Sequence, residues 1–415
     1  MRLLRLSLFI LAAYSSLDSQ GAVVYVKADA AGAGNGANWT DAFTSIQPAI
    51  AAANANDEVW VAAGTYIAAS TPVVALKAGV AVYGGFEGTE TLRTQRDWTA
   101  YPCAIDGEHA RQCVTGASTA VLDGFTVRNG SAASGAGLYA ASCAGMTVAH
   151  CIFTGNAATS YGGGVYNTAS SPAFSDCSFV SNTAVNDGGG MYNIAVSNPA
   201  LTDCTFDTNT AGYSGGGVFN TASSPVLTDC VFSGNRISPQ TSWSNGGAGL
   251  SSHNGSAPTL SGCQFTGNTS TASGGALLVR SASATLTNCV FTNNHADYDG
   301  GAVFNRSSAT SLTECAFTGN TAQNPDSSDC YGGALCNYYS PAPSLSGCSF
   351  SGNHGKGGGG AILNFESSPS VSECDFQDNS SGDDTHGGAI YNYHVESAPV
   401  ISDCTFTRNT TPNRG

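Results

Sequence analysis

Charge is scarce in this chain, and basic charge is the scarcest. Of 415 residues only 10% are charged, three are Lys and eleven are Arg, and the formal net charge is −15. No basic stripe exists to neutralise phosphates, which excludes nucleic acid as a partner and disfavours acidic lipid surfaces. Long apolar runs are also missing. The single one, Leu6 to Tyr14, is too short to span about 30 Å of hydrocarbon, so no transmembrane segment is expected. It follows Met-Arg-Leu-Leu-Arg, the charge-then-hydrophobe order of a secretory signal peptide, with Ser19 and Gly21 as small residues near the cleavage point. Residues 1–22 therefore read as a signal peptide. The mature chain is expected to be secreted or held at the cell surface, outer-membrane association included.

What the chain has in quantity is Gly, at 52 residues, and Cys, at 15. Cys151, Cys177, Cys204, Cys230, Cys263, Cys289, Cys315, Cys348, Cys374 and Cys404 each open a Cys-x-Phe-x-x-Asn element, most of them 26 or 27 residues apart. Between these lies a second element, Gly-Gly-(Gly/Ala)-aliphatic-(aromatic or Leu)-Asn, as in Gly162 to Asn167 and Gly300 to Asn305. Two motifs recurring in one phase define a repeat, so length no longer predicts domain number. Each unit holds three short apolar stretches, too Gly-rich for helices and too regular for independent hairpins. The pattern predicts an all-β fold, a right-handed parallel β-helix of three-strand coils.

One column tests this. The position before each Cys is filled by His150, Asp176, Asp203, Asp229, Gly262, Asn288, Glu314, Gly347, Glu373 and Asp403, and eight of these ten are types that tolerate a left-handed backbone. A single-residue corner between two strands needs that geometry. Coils stacked at about 4.8 Å would bury a ladder of Phe rings and align one ladder of Asn side chains. Residues 125–415 form the regular repeats. Residues 23–124 read as an N-terminal cap with irregular first coils: Thr40 and Asp41 cap a helix with Phe43, Ile46, Ile50 and Ala53 on one face, and Asp57 to Ala62 is the first strand. After Cys404 no Gly-Gly-Ala strand follows, so the last coil is expected to expose its edge and the end of the Phe ladder, with Pro412, Arg408 and Arg414 as deterrents to pairing. The corresponding expectation is that the chain either lost a C-terminal capping or anchoring segment or associates end to end through that face.

The paired motifs, seen as Phe376 to Asn379 and Gly387 to Ile390, resemble the repeats of the polymorphic outer-membrane protein family of autotransporter adhesins, over about residues 125–409. Trp39-Thr40-Asp41-Ala42-Phe43, Val59 to Tyr66 and Tyr83 to Glu90 look like the start of secreted bacterial proteins of the pectate-lyase-like superfamily. Both resemblances imply a β-helix outside the cytoplasm. Neither supplies an activity, because one scaffold carries many functions.

Ten Cys in one column beside a buried Phe read as a stack of buried thiols. Cys103 with Cys113, and Cys330 with Cys336, lie outside that column and are the candidate disulfides. For catalysis the candidates are Asp383, Asp384 and His386, which resemble part of the acid pair and His of polygalacturonases, although the Asn-Thr-Asp and Arg-Ile-Lys elements of that family are absent. The same cluster, in a loop where other coils carry Asp187, Asp297 and Asp299, also reads as a solvated loop or a calcium site; no other cofactor is implied. Tyr166, Tyr192, Phe219, Phe304 and Tyr391 form the candidate ligand-binding strip, provided that Val165, Met191, Val218, Val303 and Ile390 point inward. The opposite facing is equally compatible with the sequence. The expected function is adhesin-like binding of an extracellular protein or glycan through a repetitive face, with a polysaccharide lyase or glycoside hydrolase as the alternative.

Overall fold

The structure, a computed structural model, describes residues 21–238, 244–324, 330–382 and 386–411. Residues 1–20 of the expected signal peptide, and Pro412 and Arg414, lie outside them. Among the described residues the chain winds into a right-handed parallel solenoid whose strands form four sheets of 14, 13, 10 and 12 strands. In one coil Thr147–Ala149 belongs to a leucine sheet, Ile152–Thr154 to a phenylalanine sheet, Ala157–Tyr161 to an alanine sheet and Val165–Thr168 to an aromatic-faced sheet. The expected three-strand coil thus gains a fourth strand. In most coils it is two residues long, such as Thr183–Ala184, squeezed between the Asn turn and the Gly corner, and two residues show no alternation to read.

Corners are fixed by backbone conformation. All ten residues before the column Cys have positive φ, from 49° at His150 to 64° at Gly262. The Gly-Gly corner is set by crowding instead: a Cβ on Gly189 would meet the carbonyl oxygens of Gly216 and Thr210 at 2.5 Å.

Because the coils stack in register, every inward position becomes a ladder. Phe153, Phe179, Phe206 and Phe232 are buried and stack at 5.1, 4.5 and 4.9 Å with rings within 5° of parallel, and the ladder continues to Phe406. The buried Asn of the Phe-x-x-Asn element form the second ladder. Asn235 Oδ1 accepts from the backbone N–H and side-chain amide of Asn209 at 3.1 and 3.0 Å, while its own amide donates to Asn268 Oδ1 and Phe206 O, both at 2.9 Å. A further Asn ladder, beyond the one expected, runs through the aromatic-faced sheet. It starts at Asn167, whose Oδ1 has no donor because the preceding coil places Ala140 there.

The Cys column is buried beside the Phe ladder. In its central part the neighbouring thiol of the coil before, and then burial, push Cys204, Cys230, Cys263 and Cys289 up to about 12, while Cys230 Sγ donates to Thr228 O at 3.4 Å. No disulfide joins any of the fifteen cysteines, which corrects the two expected bridges. Cys103 opens a strand of the phenylalanine sheet and donates to Val61 O and Ala62 O at 3.2 Å, whereas Cys113 precedes a strand of the aromatic-faced sheet and donates to Arg128 O at 3.2 Å. Cys330 donates to Asp297 O at 3.2 Å, and Cys336 is buried on the outer side of its strand. Cys103 and Cys113, ten residues apart along the chain, thus sit on different walls of the solenoid.

At the N-terminal end the first strand is Val23–Val26, pairing with Glu58–Ala62 rather than following it. The helix is Ile46–Ala52 with Ser45 at its N-cap. Asp41 does not cap it: its carboxylate accepts from the Ala33 N–H at 2.8 Å and the Asn38 amide at 3.0 Å, tying the preceding loop. Ile46, Ala49, Ile50 and Ala53 join the solenoid core with Val26, Val59 and Val74, while Phe43 packs against it half-buried. In the last described coil Val400, Ile401 and Phe406 are exposed. No helix among the described residues is long and apolar enough to cross a membrane.

Replacing Phe232 with Ala is expected to cost about 3 to 5 kcal/mol in denaturant unfolding, since it opens a cavity between two rings that cannot close together. Asn235→Leu, which keeps the volume, is expected to cost about 3 kcal/mol or more, because each buried group that loses its partner costs about 1–3 kcal/mol. A loss below about 1 kcal/mol in either variant would contradict the ladders. Thiol labelling of the native protein should leave the column Cys from Cys151 to Cys374 unmodified, with Cys404 partly accessible, and label all ten after unfolding; recovery of paired, oxidised column Cys would contradict the thiol stack.

Candidate functional site

Alternation decides which side of the aromatic-faced sheet the candidate ligand residues occupy. Val165, Met191, Val218 and Val303 are fully buried in the main core, so Tyr166, Tyr192, Phe219 and Phe304 point outward from the solenoid. Tyr139, Tyr166, Tyr192 and Phe219 then stack along the outer face at 5.4, 5.3 and 5.0 Å, with rings within 16° of parallel. Tyr139 and Tyr166 are half-exposed, while Tyr192 and Phe219 retain 6%.

The strip does not continue as an open surface. Phe304 points outward yet is fully buried, because a second apolar layer covers it: Leu278, Phe304, Cys336 and Leu363 pack together under Tyr331, Tyr338, Phe365 and Tyr391. The expectation of Phe304 as an exposed contact is therefore corrected. Tyr391 is half-buried at the far end, with the His386 ring 5.2 Å away. Asp383 and Asp384 lie outside the described residues.

Where the stacked ladder ends, the surface deepens into a groove of about 380 Å³ lined by Tyr161, Asn186, Asp187, Tyr213, Ser214, Phe219, Asn245, His253 and Arg280. Its polar groups come from five successive coils. Asp187, at the corner before Gly188, is pushed up to about 7 by desolvation, offset in part by the Ser214 backbone N–H. His253, whose Nε2 is 2.9 Å from Ser251 Oγ and whose ring lies 4.9 Å from Phe219, is pushed down to about 4 by burial and then by the Arg280 charge. Burial, and next the Asp187 carboxyl, raise the Tyr192 phenol. At neutral pH the groove thus presents a carboxyl poised to hold or release a proton, a neutral imidazole and a guanidinium beside aromatic rings. Among its described lining residues Asp187 is the sole carboxylate, so the pair that glycosidic hydrolysis uses is not assembled there.

A second cleft, near the N-terminal end, holds a Trp that is already engaged. Trp98 has the His150 ring at 4.2 Å and the Arg96 guanidinium at 4.9 Å, while His150 Nδ1 and Arg96 both bond Asp123, at 2.9 and 2.7 Å. This network joins successive coils and leaves Trp98 little free face.

A family model described as a right handed beta helix region matches residues 92–265, 229–324 and 275–415. The chain belongs to this right-handed β-helix family. No curated protein sequence matches it significantly. Among solved structures this β-helix is similar to the catalytic unit of a thermostable GH87 alpha-1,3-glucanase from Streptomyces thermodiastaticus, at 12% identity and a TM-score of 0.39, covering 88% of this chain and 65% of that one. It is similar to the tailspike protein gp49 of Acinetobacter baumannii bacteriophage Fri1, a capsular polysaccharide depolymerase, at 12% identity and a TM-score of 0.37, covering 86% and 58%. The A-module of an Azotobacter vinelandii mannuronan C-5 epimerase gives 14% identity and a TM-score of 0.41, covering 87% and 94%. The chain spans less than two thirds of the length of the first two.

Asp187 and His253 give opposite pH slopes. Between pH 3.8 and about 7 the folded chain holds a proton on Asp187 that the unfolded chain releases, so this group's contribution to stability falls as pH rises through that window. Between about pH 4 and 6.5 the unfolded chain protonates His253 and the folded chain does not, so its contribution rises with pH. The melting temperature of Asp187→Asn relative to the parent should therefore climb steadily from pH 4 to pH 7.5. A pH-independent difference would contradict the desolvated carboxyl.

Proposed function

We propose that this chain is an exported β-helical repeat protein that binds extracellular glycan chains through the outer face of its aromatic-faced sheet. The observation that carries the reading is the in-register ladder Tyr139–Tyr166–Tyr192–Phe219 opening onto the groove at Asp187, His253 and Arg280. The half-exposed edges and hydroxyls of Tyr139 and Tyr166, with the polar groups of the groove further along, suit the two-sided surface of a sugar, apolar C–H faces and hydroxyl edges. Repetition along the rod favours a long ligand, since several weak contacts on one chain reinforce each other. The charge-then-apolar order of residues 1–22 supports export. An adhesin-like role at the cell surface, outer membrane included, is the finer form of the proposal. Calcium at the Asp383–Asp384–His386 loop is a separate proposal, tested by titrating the metal into the apo protein.

A polysaccharide lyase or glycoside hydrolase is the second reading. One observation favours it: the groove brings Asp187, His253 and Arg280 together from different coils, with Asp187 able to donate a proton near neutral pH. The single carboxylate argues for binding instead. A panel of neutral and acidic polysaccharides tests both readings in affinity electrophoresis and in product assays. Binding without turnover is expected, and Tyr166→Ala with Tyr192→Ala should weaken it by about tenfold or more. Turnover abolished by Asp187→Asn would replace the binding reading with the enzyme, and absence of binding to any glycan would overturn both.

A further inference from the structure

The cysteine column packs as the phenylalanine ladder does, yet each of its side chains carries a soft donor atom that packing does not need. All ten are free thiols; nine are buried, and Cys404, in the last described coil, is half-buried. The strands that follow fix the register. Ser349 pairs with Asp375 and Asp375 with Thr405, so Cys348, Cys374 and Cys404 stand directly above one another. The Cys374 backbone N–H donates to Cys404 Sγ at 3.4 Å, which seats the Cys404 sulfur against the coil before it.

We propose that Cys374 and Cys404 form a two-coordinate site for a soft monovalent metal ion, Cu(I) or Ag(I), held in line between the sulfurs of adjacent coils. The inference is independent of the glycan-binding reading and uses no residue of the aromatic-faced sheet.

The first support is spacing. Two metal–thiolate bonds of about 2.3 Å laid end to end span about 4.6 Å, and the coils repeat at about 4.8 Å. Parallel side chains one coil apart therefore suit a linear sulfur–metal–sulfur unit.

The second support is the number of ligands. Among the described residues no group of three or more His, Cys, Asp or Glu is arranged to hold a metal ion. Structural zinc takes four ligands, so the column does not suit it. Ions that two sulfurs satisfy remain, and thiolates select Cu(I) among them.

The third support is that the thiol proton can leave without cost to the backbone. Cys374 Sγ and Cys404 Sγ donate to Ser372 O and Ser402 O at 3.2 and 3.1 Å. Those carbonyls also accept the N–H groups of Gly347 and Glu373, both at 3.1 Å, so neither is orphaned when the proton goes. The ion displaces the Cys404 proton to solvent and forms one sulfur–metal bond; the Cys374 sulfur, keeping its proton, gives a lone pair to the second. The unit is neutral. Neutrality suits the site, because the neighbouring Cys348 thiol and then burial hold Cys374 above the usual thiol range. Glu373 and Asp403, both exposed, immediately precede the two cysteines, and in a chain of net charge −15 they draw cations to the entrance.

Native mass spectrometry of the reduced mature chain tests the inference, with Ag⁺ titrated in chloride-free, oxygen-free buffer against excess glutathione. Parent, Cys404→Ser, Cys374→Ser/Cys404→Ser and Cys204→Ser proteins of matched melting temperature are compared. The parent should retain an Ag⁺ ion, with two sulfur neighbours in its X-ray absorption spectrum and a raised melting temperature, because the ion binds the folded chain alone. Cys404→Ser and the double variant should lose about a hundredfold or more of that affinity, while Cys204→Ser, in the middle of the column, keeps it. No retention by the parent, unaltered retention by Cys404→Ser, nitrogen or oxygen neighbours at the metal, or Zn²⁺ bound as tightly as Ag⁺ would each overturn the inference. The glycan reading stands in every one of these cases.

Discussion

In this protein every strand residue has its decisive neighbour at the same position one coil away. Parallel in-register stacking turns each sequence position into a column, and a column is stable only if its residue type tolerates itself as a neighbour. Phe does so by stacking, Asn because its amide donates up the rod while its oxygen accepts from below, and Cys because a thiol both donates and accepts weakly. The inward columns accordingly vary little from coil to coil. Their uniformity explains why so large an interior is built with so few ion pairs and with one short helix among the described residues.

Outward positions escape that rule, and function has room there. On the aromatic-faced sheet the two outward columns change character along the rod: Tyr and Phe in the early coils, an aliphatic layer under aromatics in the later ones, and a pair of arginines between.

Much of the interior was legible in the sequence because it is the repeat. The residues before each Cys announced a left-handed corner, and all ten adopt it, including Glu314 and Glu373, whose type does not favour it. The Phe-x-x-Asn spacing gave both the ring ladder and the amide ladder. The fourth strand was not legible, since two residues carry no period. The working face was legible only in part. Alternation left the aromatic column free to face either way, and only the burial of Val165 and Val303 resolves it. The cover over Phe304 comes from Tyr331 and Tyr338, which no motif links to it. Arg306 lies one residue beyond Asn305, where the Gly-Gly motif stops, and Arg280 holds the same position after Val279. Extending the alignment by that residue reveals the column, whereas Asp187 and His253 meet only through the coil geometry.

The central claim is that the outer face of the aromatic-faced sheet is where this β-helix meets its ligand. Segment-resolved amide hydrogen exchange of the mature chain, with and without a saturating polysaccharide from the neutral and acidic panel, tests it most directly. The account predicts added protection confined to strands of this sheet, chiefly Leu138–Ala141, Val165–Thr168, Met191–Ile194, Val218–Thr221, Leu250–His253 and Leu277–Arg280, and the corners that precede them. Protection centred on strands of the phenylalanine or leucine sheet would contradict it.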